Sequence, residues 1–183
     1  MRTSVISMPP PEAIWIASIP PLAAGGLVHA IIDTPRGSRS KYKFDKASGL
    51  FKLSRVLPAG MHFPCDFGFI PGTTGEDGDA LDIALLSEES GIVGCLMTVR
   101  LLGMLRARQI DKRISVRNDR FLAVPVTPVN SPAQKDLRDI ATTQLDDLER
   151  FFVTYNRLQG RRFIPERRDG AKAAYRALRQ GMH

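Results

Sequence analysis

The sequence predicts an α+β fold: a mainly antiparallel, strongly bent small β-barrel with two C-terminal helices packed on it. Three observations predict it. Short apolar and β-branched runs bounded by Gly and Pro follow one another from residue 27 to residue 126. After Pro132 the apolar spacing changes to three and four, the period of an amphipathic helix. Strands first and helices last is the order of an α+β architecture, not of an alternating parallel sheet.

Composition narrows the class. The 183 residues are 43% hydrophobic and 25% charged, enough for one well-cored domain and unlike a disordered chain. No stretch has the length of a transmembrane helix, so no membrane partner is expected. The net charge of +7 points to an anionic partner: nucleic acid, a phosphate compound or a membrane surface. Cys65 and Cys95 are too few for a disulfide framework and sit in apolar runs. They predict buried, reduced thiols and a cytoplasmic location. Neither has a basic or His neighbour, which argues against a catalytic cysteine.

The elements are expected in this order. Residues 1–26 form an irregular N-terminal arm. Its apolar run Ala13-Ile14-Trp15-Ile16-Ala17 is interrupted by Pro9, Pro10, Pro11, Pro20 and Pro21, which favours an arm over the alternative of a signal peptide. Residues 27–183 form the single domain, with no repeat or linker within it. Residues 27–34 are a strand ending near Asp33. Lys41, Tyr42, Lys43 and Phe44 alternate at period two, and residues 50–57 return with Lys52 and Arg55, so the pair is a hairpin with a cationic face. Residues 61–72 are an aromatic segment that Pro64 confines to an edge or an irregular strand. Residues 81–86 are a buried strand, and residues 94–105 a long one bent at Gly103. Residues 106–120 are basic and lack apolar periodicity, so they read as a loop or exposed ribbon. Residues 121–126 are a strand. Leu137, Ile140, Leu145, Leu148, Phe151, Phe152 and Tyr155 make the stripe of the first helix, which Gly160 closes. Residues 169–180 are a second, basic helix with Asp169 placed to cap it.

The stretch with the most chemistry is Glu76-Asp77-Gly78-Asp79-Ala80-Leu81-Asp82. Three aspartates in six positions repel one another unless hydrated or bridged by a cation, and a hard cation such as Mg²⁺ takes oxygen ligands of this kind. Gly78 lets the chain turn so that Asp82 can join Asp77 and Asp79. The spacing is not that of an EF-hand loop. Alone, such a motif is more often a solvated turn.

Its neighbours make it more specific. Ile32-Asp33-Thr34-Pro35, Lys41-Tyr42, Asp45-Lys46-Ala47-Ser48-Gly49, Arg55, residues 61–70, the aspartate block, Leu122-Ala123-Val124-Pro125 and Phe151-Phe152-Val153-Thr154-Tyr155 occur in that order. The chain resembles the soluble, Mg²⁺-dependent, barrel-type inorganic pyrophosphatases over residues 27–158, as a divergent member. The resemblance implies an OB-like barrel and hydrolysis of pyrophosphate to two orthophosphates by metal-activated water. It implies Mg²⁺ as cofactor and a compact homo-oligomer, hexameric in many bacterial members. By resemblance Asp77 and Asp82 are metal ligands, and Asp79 is both a ligand and the residue that orients or deprotonates the water. Asp33 is an acidic metal-site position, commonly Glu. Lys41, Arg55 and Tyr155 contact phosphate. Arg120 stands for a phosphate-binding lysine, and Asn118 is an uncharged oxygen ligand in place of a carboxylate.

The departures from the pattern are specific. Lys43 stands where the family has an acidic residue, and Phe63 and Phe67 stand for tyrosines. A further acidic position aligns near Gln109 or Ile110, with Asp111 as the nearest carboxylate. Asn156 replaces a lysine. Two other classes of function fit parts of the sequence. One is a relative that binds a phosphorylated ligand without turnover. The other is a basic barrel that binds nucleic acid, against which the aspartate cluster argues.

Overall fold

The computed structural model describes Ile16, residues 18–129 and residues 131–182. Most of the arm predicted for residues 1–26 therefore lies outside the described residues. Its described end includes a single 3₁₀ turn, Ala24–Gly26, and Leu22 bridges to Val28.

The chain forms β1 (Val28–Thr34), β2 (Ser40–Asp45), β3 (Leu50–Val56), β4 (Asp66–Phe69), β5 (Asp82–Leu85), β6 (Leu96–Asp111), β7 (Ile114–Arg117) and β8 (Arg120–Pro125). Helix α1 (Thr142–Arg157), β9 (Arg162–Gly170) and α2 (Ala171–Gln180) follow. Strands β1, β4, β5, β8 and β6 are neighbours in that order, and β6 pairs back with β1. This circuit closes a five-stranded barrel and removes its free edges. Every pairing in it is antiparallel except β5 with β8, which is parallel. The expected α+β barrel with two late helices is what the chain adopts.

The barrel strands read as nearly continuous apolar runs because both faces are covered. Ile83, Leu85, Phe121, Ala123 and Leu101 enter one apolar cluster with Ala174 and Leu178 of α2. The alternate residues Ala84, Leu122, Val124 and Leu102 enter a second, closed by Leu145, Leu148 and Phe152 of α1. The first helix thus buries the stripe its spacing predicts from Leu145 on, although Leu137 and Ile140 lie ahead of it, in and just after a 3₁₀ turn.

Strand β6 is the frame. Its start pairs with β1, its middle with β8 and its end with both β9 and β7. The bend expected at Gly103 coincides with a register shift between Leu101 and Gly103. A Cβ there would lie 2.3 Å from the Asp169 carbonyl oxygen and 2.5 Å from Leu137 Cγ, so only glycine lets these segments approach.

Two expectations are corrected and one is decided. Of the loop and the ribbon expected for residues 106–120, the ribbon forms: β6 continues to Asp111 and turns back through β7. Two of its cations are taken inward, Arg106 between Asp119 (2.7 Å) and Asp169 (2.8 Å), and Arg120 into the protein at 4% exposure. Asp169 does not cap α2. It lies in β9, and the cap position is Gly170, with Asp136 accepting the Ala171 N–H at 3.1 Å from 35 residues away. Cys65 is buried as expected, but Cys95 is only half-buried; both are free thiols.

The hairpin β2–β3 forms a separate two-stranded sheet. Bonds from Leu57 N to Arg39 O and from Phe63 N to Ser38 O anchor its base. Its cationic face covers one end of the barrel, where the functional side chains collect.

Candidate active site

The aspartate loop is built on a closed backbone turn. Gly75 N donates to Asp79 O at 2.8 Å and Gly78 N to Gly75 O at 3.1 Å, with Gly78 at φ +81°, a conformation that favours glycine. The Asp77 carboxylate accepts the Asp79 N–H at 3.2 Å, an Asx-type turn. Thr73 fastens the loop at its base. Its buried hydroxyl donates to Ile70 O at 2.6 Å and accepts the Leu81 N–H at 3.0 Å. From behind, the Gly181 carbonyl after α2 accepts the Thr74 N–H at 2.8 Å. The loop is therefore held by barrel and helix while Asp77 and Asp79 stay exposed.

A cleft of about 360 Å³ lies between this loop, the hairpin, the β6–β8 wall and α1. It brings together all nine residues singled out from the sequence: Asp33, Lys41, Arg55, Asp77, Asp79, Asp82, Asn118, Arg120 and Tyr155. Three of its four acids face a cation. Lys41 Nζ donates to both oxygens of Asp33, at 2.6 and 2.7 Å, and Thr34 Oγ1 adds a third bond at 2.7 Å. Arg120 Nη1 lies 2.5 Å from Asp82 Oδ2, and Lys43 Nζ lies 2.8 Å from Asp79 Oδ2. Asn118 receives a short hydrogen bond from Arg120 on Oδ1, and its amide donates to Gln109 Oε1 at 3.0 Å.

Desolvation is the first influence on these carboxyls. Burial pushes Asp33 above its ordinary value, with Lys41 acting against it. Burial likewise raises Asp82, opposed by Arg120 and Lys41. Partial desolvation by the cleft wall raises Asp77, opposed by the Asp79 N–H, with Asp82 and Asp79 adding repulsion. Burial also pushes the Tyr155 phenol upward.

The aromatic block supports the cations. Lys41 Nζ sits 4.5 Å from the centre of the Phe67 ring. The Arg120 guanidinium lies 5.7 Å from Phe67, 5.4 Å from Phe152 and 5.2 Å from Phe163. Ring faces attract cations, so these phenylalanines hold two phosphate-binding candidates without any hydroxyl. Phe63 packs edge-on against Phe151 and Tyr155 and takes its place in the core.

Sequence reasoning missed part of the lining. Lys46, Ser54, Gln159 and Arg161 also face the cleft. Lys46 was legible only as a turn residue, and Arg161 follows the glycine that ends α1. Asp111 lies outside the cleft wall and is paired with Arg161 at 2.9 Å; Gln109 is the residue that faces inward there.

The cleft unites a carboxylate loop with lysines and arginines on a closed barrel, the arrangement of a phosphoryl-transfer hydrolase. A sequence model of the inorganic pyrophosphatase family matches residues 30–183. The inorganic pyrophosphatase of Synechocystis is 36% identical over 144 residues, covering 79% of this chain and 83% of that one. That of Geobacillus stearothermophilus is 32% identical over 152 residues, covering 83% and 90%. The crystal structure of inorganic pyrophosphatase from Thermus thermophilus superposes with a TM-score of 0.83 at 31% identity, covering 91% of this chain and 96% of that one. The chain belongs to the inorganic pyrophosphatase family. These relatives lend no support to the non-hydrolytic binder or the nucleic-acid-binding barrel.

Proposed function

We propose that this chain hydrolyses inorganic pyrophosphate to two orthophosphates. The observation that carries the reading is the cleft itself, where the aspartate loop faces Lys41, Arg55 and Arg120 in a member of this family. Lys41 and Arg120 are held rigidly by carboxylates and aromatic rings, so they present fixed positive charge with little reorganisation. Arg55 offers a planar fork for two phosphate oxygens, and Tyr155 a phenolic donor. Asp79, exposed at the mouth, takes a proton from the attacking water on its carboxylate.

The donor set suits Mg²⁺. Asp77, Asp79 and Asp82 offer hard carboxylate oxygens on one short loop, with the Asn118 amide oxygen and Asp33 beside them. Among the described residues no three acidic, His or Cys side chains converge on one point as they stand. Mg²⁺ does not require that, because it binds through one or two carboxylates, waters and substrate phosphates. Bound there, Mg²⁺ supplies charge neutralisation of the phosphates and lowers the pKa of water.

We place the protein in the cytoplasm as a homo-oligomer, a hexamer by family resemblance, with residues 27–183 as its single domain. The half-buried free thiol of Cys95 suits a reducing compartment, and among the described residues no helix is long and apolar enough to cross a membrane. Light scattering on the purified protein measures the assembly. For the activity, phosphate release from pyrophosphate with Mg²⁺ is the test. Release no faster than that of an Asp79→Asn variant would overturn the reading.

A further inference from the structure

The cleft's own side chains make it cationic. Six basic residues line it against four carboxylates, a formal excess of two positive charges. The six are not equivalent. Lys41 is held on Asp33, Arg120 is buried on Asp82, and Arg161 is engaged by Asp111. The other three, Lys43, Lys46 and Arg55, all come from the β2–β3 hairpin. Among the described residues neither Lys46 nor Arg55 makes an ion pair.

Lys43 is the one whose partner matters. Its ammonium lies 2.8 Å from Asp79 Oδ2, with the two side chains 61% and 60% exposed. An ion pair so open to water is weak, because solvent screens it and two long side chains must be held still. A pyrophosphate anion entering beside Lys46 and Arg55 offers several charges where Asp79 offers one. The lysine therefore has a stronger partner whenever substrate is present.

We propose that Lys43 is a substrate-binding cation that exchanges Asp79 for a phosphate oxygen when pyrophosphate arrives. The exchange binds the anion through the hairpin without a divalent cation, and it frees the Asp79 carboxylate to meet water. The role of Asp79 in this inference rests on the hydrolytic reading above; the capture of the anion does not.

The test is calorimetric titration of the full chain with sodium pyrophosphate in excess EDTA. Wild type binds, and binding weakens as salt is raised. Lys43→Gln loses about ten-fold in affinity, the value of one charge-assisted hydrogen bond, and Lys43→Arg restores most of it. Thermal melts matching wild type show that the exposed substitution leaves the fold intact. Absence of wild-type binding in EDTA, or a Lys43→Gln affinity within about two-fold of wild type, overturns the inference. Phosphate release with Mg²⁺, measured on the same wild-type preparation, separates the two readings. Release without metal-free binding rejects the role of Lys43 and keeps hydrolysis. Lys43-dependent binding without release rejects hydrolysis and keeps the anion capture.

Discussion

Arg120 and Asp82 are ion-paired at 2.5 Å because β5 and β8 run parallel in register. Ile83 faces Phe121, so the residues just before them meet at the same end of the barrel. The pair joins the end of the aspartate loop to the barrel wall. Arg120 is 4% exposed and stacked among three phenylalanines. Arg120→Met, which removes one partner and leaves the other partly desolvated, is expected to cost about 3 kcal/mol of unfolding free energy. Arg120→Lys retains the charge but not the planar guanidinium whose Nη1 also reaches Asn118, and falls in between. Urea denaturation measures both. A change below about 0.5 kcal/mol for Arg120→Met would contradict the assignment.

Asp79 should separate chemistry from stability. Among the described residues its one ion pair is with exposed Lys43, so Asp79→Asn is expected to leave unfolding free energy within about 0.5 kcal/mol of wild type. Steady-state phosphate release should fall about 100-fold or more, as for loss of a general base. An equal loss of stability and activity would place Asp79 in the fold instead.

The hairpin tip should loosen in acid. Lys52 and the Ser48 hydroxyl and amide hold the Asp45 carboxyl down to about 2, from an ordinary 3.8. A depressed pKa means that the folded hairpin favours the charged form. That support is present above the unfolded value and is lost as pH falls from about 4 towards 2. Amide exchange at Ser48, whose N–H bonds Asp45 Oδ2 at 2.9 Å, reads the loss directly. Unchanged protection at pH 2 would count against it.

The two thiols should differ in reactivity. Burial pushes Cys65 up to about 12, and it is 4% exposed. Cys95 is only half-buried. Iodoacetamide at pH 8 is expected to label Cys95 in the native protein and Cys65 only after denaturation, as read by peptide mass spectrometry. Comparable native labelling of both would show that β4 opens readily.

Asp66 is a structural carboxylate, not a site residue. It is 1% exposed and accepts the Arg36 and Gly91 amides at 2.7 Å each, tying two loops to β4. Asp66→Ala leaves both donors unpaired and is expected to cost about 3 kcal/mol by urea denaturation. Any loss of activity should track unfolding and not the chemistry.

What was legible in the sequence was local. The period-two alternation of Lys41 to Phe44 marked the hairpin, and the spacing of Leu145, Leu148 and Phe152 marked the helix. Gly78 and the crowded aspartates marked the loop. Strand β9 was not legible: Arg162–Gly170 contains Pro165 and five charges, and becomes extended because β6 offers it an edge along most of its length. The cap of α2 failed for a related reason. Capping is read from the nearest polar residue, but Asp136 reached the helix from across the fold.

By itself, the sequence determined the α+β order of strands and helices, through periodicity, and its ordered motifs carried the likeness to the pyrophosphatase family. The acids and cations singled out from that likeness are the candidates that line the cleft. Only the tertiary structure decided the pairings: Lys43 with Asp79 across 36 residues, Arg120 with Asp82 through strand register, and Arg106 between two carboxylates. Ion pairs depend on distance in space and on exclusion of water, and neither is a property of adjacent residues.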